Sequence, residues 1–147
     1  MVKWMSLVLV ALCMNSFAFA PPVTLTWKQL EDIDFEEKFV KDIDDYMLFP
    51  KFPASIKQLS GKEIEVKGYV VPIDKRGQVI ALSANPYDAC FFCGKAGPAS
   101  VMTVKLKTAN PGLKLDQFLT FKGKLRLNDS DYKEFYYIME EAAATGK

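Results

Sequence analysis

Two cysteines in a Cys-x-x-Cys spacing, Cys90 and Cys93, are the residues whose types and spacing invite chemistry in this chain. There are three cysteines in all, the third being Cys13, and no histidine. Two thiols so close in sequence can converge within one turn, where they either close a small disulfide ring or chelate a soft metal. Three readings follow. As a disulfide, the pair pins a loop in an oxidising compartment and asks nothing more of the chain. As a metal site it offers two thiolates to zinc or copper, with Asp88 able to add one oxygen. A structural zinc ion wants four ligands, which a homodimer of two such loops could supply. As a thiol oxidoreductase it uses Cys90 as nucleophile and Cys93 as resolving thiol. Against that third reading, Gly94, Gly97 and Pro98 interrupt the helix such a site needs, and alternating strands and helices are missing.

The pair lies in a long connection, residues 84–100. Unstructured loops beyond about 12–15 residues are usually functional or disordered, and this one is too aromatic for disorder. Asn85, Pro86 and Tyr87 open it, and Tyr87 is placed to pack or hydrogen-bond across it. Phe91 and Phe92 read as anchors onto the domain rather than as a substrate platform. Gly94 and Gly97 are expected to supply positive-φ turns, with Pro98 stiffening the return. Met102, just beyond, is a core residue, or a thioether ligand if the metal is copper.

Other chemistries lack their parts. Without histidine there is no Ser-His-Asp or Cys-His arrangement. No phosphate-cradling glycine loop or dinucleotide fingerprint is present. Asp44-Asp45 and Glu140-Glu141 are adjacent rather than facing, so they do not make a glycosidase dyad. The sequence leans away from an enzyme.

The elements that position the loop are strands. From Lys62 to Ile73, Ile64, Val66, Gly68 and Val70 alternate with Glu63, Glu65, Lys67 and Tyr69, the period of a half-buried strand. Gly68 in its middle predicts a bulge or bend, and Asp74-Lys75-Arg76-Gly77 a turn. Further strands are expected at Gln78–Ser83, Val101–Lys107, Phe118–Leu127 and Glu134–Met139. The fourth sets Phe121, Gly123, Leu125 and Leu127 against Lys122, Lys124 and Arg126, one apolar and one basic face, the latter read as a solvated surface. Five strands, the first long and bent, predict a mainly β fold: a small barrel of the oligonucleotide/oligosaccharide-binding (OB) type spanning 61–141. Residues 21–60 read as a wrapping arm. In it, Thr26 and Gln29 form a capping box ahead of a helical turn Trp27–Glu31, and Ser55–Leu59 makes a second turn. The acidic stretch Glu31–Asp45 reads as solvated surface, and 142–147 as a flexible tail.

Residues 1–20 read as a secretory signal peptide: Lys3, an apolar run from Leu7 to Met14 too short to span a membrane, then small residues. Cleavage is expected after Ala20 or, because Pro21 hinders the peptidase, after Ala18. Export to the periplasm or another extracytoplasmic space follows. Of the 147 residues, 50% are apolar and 25% charged, an ordinary globular balance. There are 19 basic and 18 acidic residues, and Lys3 would leave with the leader. A formally neutral domain gives no electrostatic support to nucleic-acid binding.

The stretch Leu59 to Pro72, with Asn85-Pro86-Tyr87, Cys90-Phe91-Phe92-Cys93-Gly94, Gly97-Pro98 and Ser100-Val101-Met102, resembles a family of uncharacterised exported proteins of Gram-negative bacteria. The resemblance covers most of 27–140 and is most specific in the cysteine loop. It implies an OB-type barrel. Distant relatives are similar to proteins encoded beside transporters for zinc and other metals, which implies Cys90 and Cys93 as ligands and an envelope transporter or another protein as partner. Many relatives look like lipoproteins. Here Leu12 is bulky where a lipidation signal before Cys13 wants a small residue, so membrane attachment stays open. The reading is a non-enzymatic exported binding module whose loop is a disulfide clip or metal-binding tip, with thiol–disulfide exchange as the alternative.

Overall fold

The computed structural model describes residues 21–145; the expected signal peptide and the last two residues of the expected tail lie outside the described residues. Alternation of apolar and polar side chains builds the barrel strands: β4 (Glu63–Pro72), β5 (Val79–Ser83), β6 (Val101–Leu106), β7 (Phe118–Leu127) and β8 (Tyr137–Thr145). Their order is β4-β5-β6-β8-β7, and β7 pairs back onto β4 to close the ring. β6 and β8 are parallel and the other barrel pairs antiparallel. This is the expected five-stranded barrel, with a short strand β1 (Val23–Leu25) added in parallel to the edge of β4. Ile64, Val66, Ile80, Leu82, Met102, Phe121 and Leu125 fill the interior.

Closure depends on β4 changing partners. Its residues up to Tyr69 pair with β7 and those from Tyr69 with β5. Gly68 sits at the change. A Cβ there would lie 2.7 Å from the Ser83 carbonyl oxygen and 3.2 Å from Trp27 Nε1. The glycine lets two strands and the arm crowd together at the bend.

The arm is tied down through helix α1 (Trp27–Glu31), whose expected capping box forms: Gln29 N donates to Thr26 Oγ1, and Thr26 N donates to Gln29 Oε1. Trp27 Nε1 donates to Lys67 O at 2.8 Å, and Leu30 is fully buried. Beneath it, the Tyr137 hydroxyl donates to Leu30 O at 2.6 Å. Burial pushes this phenol well up, keeping it a neutral donor. The second expected turn is helix α2 (Ala54–Lys57).

Three elements differ from expectation. The acidic stretch is not plain surface: β2 (Asp34–Val40) and β3 (Asp45–Lys51) form an antiparallel hairpin of their own. In β2, Phe35 lies between Asp34 and Glu36 and Phe39 beside Lys38, so the charged neighbours mask the strand period. The last strand begins at Tyr137, not Glu134, because Asn128 organises the preceding loop. Its side-chain amide donates to Asp131 O, Glu134 O and Phe135 O, competing with the ladder. At its other end the strand runs on through the expected tail. Ala142 is buried, and its carbonyl accepts from Lys107 N at 2.9 Å. Backbone pairing with neighbours on both sides holds this segment, a contribution that its short side chains do not announce.

Candidate functional site

The long connection between β5 and β6 consists of three successive 3-10 turns, Tyr87–Ala89, Phe91–Cys93 and Pro98–Ser100. Ser83 starts it: its hydroxyl donates to Asn85 O and accepts from Asn85 N. Pro86, with no N–H to lose, caps the first turn. Tyr87 N then donates to the Asp116 carboxylate at 2.8 Å, fastening the loop to the start of β7. Gly94 ends the second turn in the left-handed region, as expected. Gly97 does not: its φ is −72° with ψ 163°. Pro98 follows it, and a residue before proline is driven to extended backbone.

The two sulfurs converge on one carbonyl oxygen. Cys90 Sγ lies 3.0 Å and Cys93 Sγ 2.9 Å from the same acceptor, the carbonyl oxygen of Tyr87. Both are thiols in this structure, Cys90 wholly buried and Cys93 exposed. The expected third ligand is not gathered with them. Among the described residues no three acidic or cysteine side chains converge on one point, and Asp88 therefore stands apart from the pair. For thiol exchange the exposures reverse the expected roles, since the accessible sulfur belongs to Cys93. Neither thiol opens a helix long enough to stabilise a thiolate, because the turn between them spans only Phe91–Cys93.

Phe91 anchors the loop, as expected of it, whereas Phe92 stays exposed. Phe91 packs onto Val71, Ala81 and Val101, the outward-facing apolar residues of β4, β5 and β6. It meets Phe92 and Phe135 edge-on, each with ring centroids 5.9 Å apart. Phe92 also meets Phe135 edge-on and stacks on Tyr87. In OB barrels the outer face of the second and third strands is the usual ligand platform. Here the chain's own loop covers that part of the barrel. Beside it a depression of about 540 Å³ opens between Ile73, Tyr87, Phe92 and Leu115. Met102, pointing inward, is core.

Phe135 and Asp116 complete the site and carry no motif. Asp116 stands at φ 62°, a conformation Asp tolerates better than most residues; its place in a short polar turn was the one available signal. Phe135 is held through its neighbour Glu134, which accepts from Arg126 and from Lys105. Hydrogen bonding to Arg126 lowers the Glu134 pKa from its ordinary 4.5, against a smaller opposing effect of burial. A carboxylate depressed in the folded state stabilises the fold above its unfolded pKa, and that stability is lost as pH falls through the folded value. Urea unfolding at pH 7 and pH 3.5 should therefore show an acid loss that Arg126→Met reduces. An unchanged pH dependence in the variant would remove the pair from the loop's support.

Fold and site together define an OB-type barrel carrying a cysteine loop folded over its outer face. No family model matches the chain, and no curated protein matches it. Among solved structures it is similar to a DUF3299 family protein from Pseudomonas aeruginosa PAO1, with a TM-score of 0.55 and 16% identity over 87% of this chain and 99% of that one. The likeness shows the fold.

Proposed function

We propose that this chain is an exported, non-enzymatic binding module whose Cys90–Cys93 loop holds a thiophilic metal ion. The carrying observation is the convergence of both sulfurs on the Tyr87 carbonyl. A closed tetrahedral zinc site needs four ligands, and one chain brings two thiols without a third side chain. Two thiolates suit a soft ion of low coordination number, which favours copper(I) over zinc within a single chain. A disulfide clip has less to do here, because Phe91, Asp116 and Ser83 already fix the loop without a covalent bond.

Purifying the protein from its export compartment without reductant or chelator, then measuring native and denatured intact mass, tests this reading. The expected result is one metal ion per chain, lost in both Cys90→Ser and Cys93→Ser. A metal-free protein lighter by the two thiol hydrogens would overturn it in favour of the clip. One observation favours a second reading: an exposed Cys93 beside a buried Cys90 has the asymmetry of an attacking and a resolving thiol. In that case Cys93→Ser alone abolishes reaction with a small disulfide, and no metal is retained.

A further inference from the structure

The β2–β3 hairpin is a sheet of its own, and its two edges differ. In an antiparallel ladder, alternate residues turn their N–H and C=O outward. On β3 the outward residues are Tyr46, Leu48 and Pro50, and each is blocked. Tyr46 N donates to the Asp45 carboxylate at 2.7 Å, Leu48 O accepts from the Tyr136 hydroxyl at 2.8 Å, and Pro50 has no N–H to offer. Devices of this kind keep a sheet edge from recruiting another strand. The register sets Phe39, Glu37 and Phe35 opposite them, so these are the outward residues of β2. They are exposed, no further strand pairs with β2, and among the described residues no backbone group outside the hairpin bonds to them. One edge is closed and the other is open.

We propose that the open edge of β2 pairs with the β2 edge of a second copy of this chain, antiparallel about Glu37, to make one continuous β3-β2-β2-β3 sheet. The strand itself selects that occupant, because Asp34-Phe35-Glu36-Glu37-Lys38-Phe39-Val40 is complementary to its own reverse. Centred on Glu37, the pairing sets Phe35, Glu37 and Phe39 against Phe39, Glu37 and Phe35, so every outward N–H and C=O of the strand gains a partner. The same register brings Glu36 opposite Lys38 of the second copy on one face and Phe35 opposite Phe39 on the other, both favourable cross-strand pairs. Sliding to the next register in either direction leaves Phe39 or Phe35 unpaired and sets Glu36 or Lys38 against itself. Phe39 and Tyr46, 52% and 65% exposed, share a face with Phe35 and Leu48, and pairing joins this apolar stripe to its copy. Glu37 against its own copy is the unfavourable contact. A short strand edge buries little surface, so the dimer is a weak one.

Sedimentation equilibrium of the whole protein tests the proposal, with reductant and chelator present so that neither a disulfide nor a shared metal joins the copies. Between about 5 and 500 µM it should show a monomer–dimer equilibrium with a Kd of about 10–100 µM. Glu37→Pro removes an outward N–H that the hairpin's own ladder does not use, and should weaken the dimer at least about tenfold while keeping the melting curve of the dilute protein. Glu37→Gln should tighten it about two- to fivefold. Glu36→Lys and Lys38→Glu should each stay monomeric alone and dimerise when mixed, because only the mixture sets opposite charges across the paired strands. A protein still monomeric at about 500 µM would overturn the proposal. So would a dimer that survives Glu37→Pro with an unchanged melting curve, or charge variants that associate no better mixed than alone. Should Glu37→Pro fail to fold, the mixing experiment decides.

Discussion

Phe121→Ala is expected to lower the free energy of unfolding by about 4 kcal/mol, near the middle of the range for truncating a buried phenylalanine. Phe121 lies on β7, paired with Val66 across one side and Ala144 across the other, and its ring is fully enclosed. Its loss removes the transfer energy of the side chain and leaves a cavity that three hydrogen-bonded strands cannot collapse into. A domain of this size has roughly 5–15 kcal/mol in hand, so the variant would be close to unfolding at ordinary temperatures. Phe118, on the same strand but half exposed and under Lys67, is the comparison. Phe118→Ala should cost about 1 kcal/mol or less. Urea unfolding followed by fluorescence, with Trp27 bonded to β4 as the reporter, measures both. Equal losses at the two positions would mean that the barrel interior is not the main source of stability.

Gly123→Val should cost about 3 kcal/mol, for a different reason. Nothing is removed; an atom is added where none fits. A Cβ at this position would stand 2.6 Å from the Glu140 carbonyl oxygen, 2.8 Å from Met139 Cγ and 3.0 Å from Ala142 Cα. Two of these three are backbone atoms of the β8 bulge, which lies opposite Gly123 where the register slips between Lys122 and Lys124. The ladder would have to open at the point where β8 reaches across to both β7 and β6. Gly97→Ala makes the contrast, with ordinary φ and open space within 4 Å of the new carbon. It should change stability by less than about 1 kcal/mol and can raise it by restricting the unfolded chain. Thermal melts of the two variants separate these cases; a harmless Gly123→Val would show that the bulge is free to move.

Much of the barrel was legible because its information is local. Alternation located four of five barrel strands to within a residue or two, and the Thr26–Gln29 pair marked the capped helix α1. Lys122, Lys124 and Arg126 share the expected basic face of the strand, but it is not simply solvated: Arg126 is held by Glu134 and Glu140 and Lys124 by Glu141. Lys62 and Lys107 lie far away in sequence, and only closure brings them alongside. The cysteine loop shows the same division. Its anchor Phe91 and its left-handed Gly94 follow from residue type, but Phe92 stays exposed and Asp88 is not gathered with the two thiols.

By itself, then, the sequence determined the strand period, the turns, the capped helix and the two thiols close enough to act together. These depend on neighbours a few positions away, through backbone sterics and side-chain spacing. The tertiary structure alone decided which sulfur is exposed, which face Phe91 covers, that Phe135 and Asp116 belong to the site, and that Ala142 to Thr145 is strand rather than tail. Those outcomes depend on parallel β6–β8 pairing and on β7 returning to β4. Contacts between residues so distant in the chain are chosen by the burial of the whole core, which no short window of residues contains.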